Sequence, residues 1–163
     1  MKVLLSYPEL LQASMVGVMR RIMAIKKNRT PYDGIGGDTE WQADIVGAIG
    51  ECILSKYLNI YWSPEVGKLD TEQGDVAGYQ VRATSWRNGN LRIKKADDPE
   101  DIFVLVTGEN TAALEWTIRG WCYGGDAQKE EYWVSKQKDR WAYFYPPELL
   151  EPIESLTQER EMG

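Results

Sequence analysis

The chain has 163 residues, of which 43% are hydrophobic, 25 are acidic and 19 basic, for a formal charge of −6. That length and apolar content fit one globular domain spanning residues 1–163, and the acidic balance excludes a protein that coats nucleic acid by bulk charge, though not one with a local basic groove. The absence of histidine excludes Ser-His-Asp and Cys-His catalysis and His-ligated zinc, so hydrolytic chemistry would have to run on carboxylates, Lys or Arg with a hard divalent metal.

Cys52 and Cys122 lie far apart in apolar contexts, which reads as two reduced core thiols in a cytosolic protein. No apolar run approaches the length of a membrane span, and the N-terminus reads as helical with no signal-peptide pattern.

Ser6-Tyr7-Pro8-Glu9 is a capping box with Pro in the first turn, so a helix starts there. Leu11, Met15, Val18, Ile22 and Ile25 recur at spacings of 3 and 4 and form one apolar stripe. Arg20, Arg21, Lys26, Lys27 and Arg29 gather toward its end, where cations favour a helix C-terminus; contact with nucleic acid is the alternative. Residues 30–38 read as a Gly- and Pro-rich loop. Thr39-Glu40-Trp41-Gln42 is a second capping box opening a helix to about Leu58. Ile45, Ile49, Cys52 and Ile53 mark its apolar face, while Asp44, Gly47, Ala48, Glu51 and Ser55 form a second stripe, polar and small. Gly47 and Gly50 in a helix interior imply close packing against a sheet. A short strand is expected around Ile60-Tyr61-Trp62.

Residues 74–84 read as a strand, a tight turn at Ala77-Gly78 and a second strand whose alternation puts Gln80, Arg82 and Thr84 on one face. Two registers are open. A two-residue turn places Asp75 across from Gln80, with Cβ atoms roughly 5 Å apart, although Ala77 is a poor occupant of its first central position. A three-residue loop places Asp75 opposite Tyr79.

An acid, a tight turn and a strand ending in acid-x-Lys, preceded by a helix carrying Glu, is the pattern of the PD-(D/E)XK nuclease superfamily. Residues 44–84 resemble it, with Glu51, Asp75, Gln80 and Arg82 at the matching positions. Gln80 stands where an acid is usual and Arg82 where Lys is usual. The whole looks most like small phage- or prophage-encoded members. The resemblance implies a restriction-endonuclease-like core and a metal-dependent DNA endonuclease or nickase. Glu51, Asp75 and the Gln80 amide oxygen would hold Mg²⁺ or Mn²⁺. Arg82 would stabilise charge but could not accept a proton, because it stays protonated. Losing one carboxylate lowers affinity for a hard cation, so weak activity, or a non-catalytic nucleic-acid- or protein-binding module on the same fold, is the other expectation.

Ser85 to Asn90 is a turn built on Asn-Gly, and Leu91-Arg92-Ile93-Lys94 alternates as a strand. Residues 82–95 carry Arg82, Arg87, Arg92, Lys94 and Lys95 with Trp86 among them and no acid. Such a run suits a DNA phosphate backbone or a stacked base, or else a solvated strand whose Lys residues block edge pairing. Ile102 to Val106 has no polar alternation and reads as a strand buried on both faces. Leu114 to Tyr123, Tyr132 to Val134 and Trp141 to Tyr145 read as further strands, and Leu149 to Glu159 as a short helix. The fold expected is α/β (or α+β), with a mixed central sheet behind two long N-terminal helices.

Overall fold

The computed structural model describes residues 1–27, 38–66, 75–136 and 139–162. The expected loop at 30–38 therefore falls almost wholly outside the described residues, as does Arg29. The architecture is mixed α+β in three layers: helices, a four-stranded mixed sheet, and a three-stranded antiparallel sheet.

The chain opens with a strand, β1 (Lys2–Leu4), and not with a helical segment. Its three residues are too few to carry a readable period; its pairing with a distant strand makes it. Helix α1 (Tyr7–Lys26) starts where the capping box places it. The Glu9 amide donates to Ser6 Oγ at 3.3 Å and the Ser6 amide to Glu9 Oε2 at 2.6 Å. Helix α2 (Asp38–Tyr57) begins one residue before the expected cap, Thr39.

The four-stranded sheet has the order β1-β5-β4-β2, where β2 is Gln80–Thr84, β4 is Ile102–Thr107 and β5 is Glu115–Tyr123. β2 lies parallel to β4; the β4–β5 and β5–β1 pairs are antiparallel. β4, the apolar run without alternation, is buried on both faces because helices cover one and the second sheet covers the other. Gly120, at φ +138°, sits at the irregularity opposite Leu105/Val106 and lets Glu151 pair with Trp121. No strand forms at 60–62; Ile60 and Trp62 instead pack as side chains on the main core.

The mixed sheet agrees with the expectation, and a second sheet is added to it. This second sheet joins β3 (Leu91–Ile93), β7 (Trp141–Tyr145) and β6 (Trp133–Ser135) in the order β3-β7-β6. A short helix, α3 (Gly124–Ala127), follows β5, and α4 (Ile153–Met162) closes the chain.

Two cores result. Val81, Val104, Val106, Trp116 and Ile118 face Val46, Ile49, Ile53 and Leu54 of α2. Phe103, Leu105 and Cys122 face Leu91 and Ile93 of the second sheet. α2 fits closely because Gly50 has no side chain: a Cβ there would stand 2.6 Å from Ala83 Cβ and 3.2 Å from Val81 Cγ1. On its other side α2 meets α1 at Gly17, where a Cβ would collide with Ile45 Cα. Asp44 and Glu51 of the small, polar stripe thus face α1, whereas Gly47 has nothing within 4 Å of where a Cβ would stand and is not a close-packing position. α1 contributes Ala13, Val16 and Gly17 to the helix–helix contact, while Leu11, Met15 and Ile25 of its apolar stripe remain exposed.

Candidate functional site

The hairpin before β2 takes the two-residue register. Val76 pairs with Tyr79, and the Tyr79 amide donates to the Val76 carbonyl at 2.8 Å. Ala77 has φ +52° and Gly78 φ +89°, the signature of a type I′ turn. The turn brings Asp75 level with Gln80, but the two side chains part. The Val81 amide donates to Asp75 Oδ2 at 2.8 Å, so Asp75 caps the edge strand β2. The Gln80 amide nitrogen donates to Asp101 Oδ2 at 3.3 Å.

Arg82 lies on the face of β2 turned toward the second sheet. Its guanidinium sits 5.0 Å over the Phe103 ring and donates to both oxygens of Asp97, at 3.3 and 3.2 Å. It also approaches Asp75 Oδ2 at 4.0 Å. Asp97 additionally accepts from the Lys94 amide at 2.8 Å, so this carboxylate closes the turn after β3 as well as holding Arg82.

Glu51 belongs to the opposite side of the sheet, on the helix packed over Val81 and Ala83. Arg20 of α1 grips both its oxygens, at 2.7 and 2.9 Å, and the Trp62 indole donates to it at 3.3 Å. Burial works against the Arg20 charge. The hydrogen bonds that Arg20 donates to Glu51 and the fields of Glu51, Asp75 and Asp44 outweigh it, and the Arg20 pKa is raised. Arg21 is likewise tied to Asp44 and Glu40. The two arginines that the sequence groups with a basic helix end are thus helix–helix clamps.

The donor set that the resemblance implies for Mg²⁺ or Mn²⁺ is therefore committed elsewhere. Both Glu51 oxygens are taken by Arg20, one Asp75 oxygen by the Val81 amide, and Gln80 leaves the sheet on the face away from α2. As arranged, these side chains do not fit a divalent cation. Among the described residues, no three acidic or thiol side chains are grouped to hold one. Three of the four residues instead enter ion pairs on either side of the edge strand, Glu51 with Arg20 and Asp75 with Arg82, which also holds Asp97.

The basic run behaves differently. Leu91 and Ile93 are fully buried and Arg92 and Lys94 are half-buried on the other face, as alternation requires. Lys95 is exposed, Trp86 is 63% exposed, and Arg87 makes a surface ion pair with Glu109 at 2.9 Å. The pairing of β3 with β7 sets Arg92 directly opposite Phe144, and Lys136 lies 4.3 Å over the same ring. The rim of the sheet carries a further aromatic group: Trp133 stacks on Trp141 with centroids 6.0 Å apart and meets Tyr143 at 4.7 Å. Sequence reasoning missed Phe144 and Lys136. The strands that bring them to Arg92 are about fifty residues apart, and no local signal joins them. No protein-family model, curated protein or solved structure matches this chain.

Proposed function

We propose that this protein is a non-catalytic nucleic-acid-binding module, with DNA lying on the outer face of the three-stranded sheet. The observation that carries the reading is the Arg92–Phe144 pair with Lys136 over the ring. Two cations flank one half-buried aromatic face, and exposed Trp86 stands on the loop leading into β3. Cations on phosphates with aromatic rings under bases is the chemistry by which single strands are held without sequence readout. The overall charge of −6 suits this, since attraction is then confined to one patch and does not extend over the whole surface. Arg82 and Asp75 in this reading hold the hairpin and the β3 turn in place, and so position the patch from beneath.

The test is fluorescence anisotropy with labelled single- and double-stranded oligonucleotides in chelator across a salt series, beside a plasmid-nicking assay in graded Mg²⁺ and Mn²⁺. Arg92→Ala with Lys136→Ala should flatten the slope of log affinity against log salt by about 1 to 2, and Asp75→Ala should retain binding. Metal-dependent nicking by the wild type or by Gln80→Glu would overturn the non-catalytic reading in favour of phosphodiester hydrolysis at Glu51 and Asp75. No binding at low salt would remove nucleic acid altogether.

A further inference from the structure

The outward face of α1 is apolar, and among the described residues outside the helix only Val66 borders the groove along it. Leu11 and Met15 are 61% and 59% exposed, with Ile25 at 54% and Met19 at 42%. Tyr7 continues the face to the helix start. A groove of about 310 Å³ runs along it, lined by Pro8, Leu11, Met15, Val16, Met19 and Val66. A 20-residue helix needs one apolar stripe to join a fold. α1 has two, and Ala13, Val16 and Gly17 already seat it on α2.

We propose that this second stripe is the seam of an antiparallel homodimer, α1 against α1 of a second copy. Pro8, Leu11, Met15, Val18, Ile22 and Ile25 are spaced 3, 4, 3, 4, 3, the repeat of residues that meet a partner helix along a narrow seam. The stripe is complementary to itself. A two-fold axis between Val16 and Gly17 pairs Pro8 with the partner's Ile25, Leu11 with the partner's Ile22 and Met15 with the partner's Val18, so no layer is left without a counterpart. Glu9 is held by Lys56 of α2 at 2.7 Å and does not face the seam, so the electrostatic support is that of the two helix dipoles, which the antiparallel arrangement aligns favourably. The exposed fractions correspond to about 500 Å² of apolar surface per protomer, hence about 1,000 Å² in the pair, which reaches the lower bound of a specific interface.

Sedimentation velocity of the full chain over a dilution series tests this. The wild type should sediment as a dimer at high concentration and dissociate on dilution. Met15→Glu, at an exposed position, should weaken association by at least about a hundredfold while leaving the circular dichroism spectrum unchanged, and the Tm unchanged at dilutions where the wild type is itself monomeric; Leu11→Glu is the second variant. Met15→Cys should be cross-linked into dimers by a short bis-maleimide, the native thiols being buried. A monomer at every concentration overturns the proposal, as does a dimer that survives both Glu variants. A monomeric Met15→Cys that fails to react with maleimide would also overturn it, since part of the same chain would then cover the face.

Discussion

Arg20 and Glu51 meet through two parallel N–H···O bonds, 2.7 and 2.9 Å long, that bolt α1 to α2. The resemblance would make Glu51 a metal ligand, and here its partner is a guanidinium from the neighbouring helix. A bidentate, charge-assisted pair of this kind fixes orientation as well as proximity.

Removing one member should therefore cost stability. Glu51→Ala leaves Arg20 partly buried without its counter-charge, and urea denaturation should find a loss of about 2–4 kcal/mol. Arg20→Ala together with Glu51→Ala should recover part of that loss, because no orphaned charge remains. DNA binding by folded Glu51→Ala should match the wild type.

The two interior glycines of α2 should respond with opposite signs. A Cβ on Gly47 would meet nothing within 4 Å, so Gly47→Ala should stabilise by about 1 kcal/mol through helix propensity. A Cβ on Gly50 would press on Ala83 at 2.6 Å, so Gly50→Ala should cost about 1–3 kcal/mol. Thermal denaturation of the two variants side by side measures the difference.

Ala77 occupies the left-handed region at φ +52°, a conformation that costs an L-residue about 1–2 kcal/mol. Ala77→Asn, which tolerates that region and suits a type I′ turn, should raise stability by about 1 kcal/mol. Asp75→Ala should act the other way by about 1–3 kcal/mol, since the Val81 amide loses its acceptor. Equilibrium unfolding in urea resolves both.

Burial pushes the Cys52 thiol up to about 11 and the Cys122 thiol up to about 12, from an ordinary value of 9.0. Above pH 9 the unfolded chain releases these protons before the folded one does. Folding then binds more protons than unfolding, and stability falls as pH rises. The contribution of the two thiols is fully present below pH 9 and is lost between pH 9 and about 11 to 12. Unfolding free energy measured against pH should decline over that window, and Cys52→Ala should make the decline shallower. At neutral pH neither thiol should react with a maleimide until the protein unfolds.

Features governed by contacts within a few residues are legible in the order of residues alone. The Ser6–Glu9 box opens α1 because its two hydrogen bonds close over three residues. β4 reads as doubly buried because its five apolar residues run without a break. Alternation places Leu91 and Ile93 inward and Arg92 outward. One local rule misleads: Ala77 argues against a two-residue turn, yet the turn forms, because pairing of β2 with β4 and the Asp75 carboxylate on the Val81 amide outweigh about 1–2 kcal/mol of backbone cost.

Partners distant in sequence are not legible in the same way. Nothing in the order of residues tells that Glu51 answers Arg20, that Gln80 turns to Asp101, or that β3 leaves the main sheet to pair with β7 and meet Phe144. Nor can periodicity say which of two apolar stripes on α1 the fold buries. Propensity, capping and alternation act through neighbouring residues and are written in the sequence directly. Ion pairs, sheet membership and the choice of a buried face depend on where the rest of the chain lies, and that is settled by packing the whole core at once.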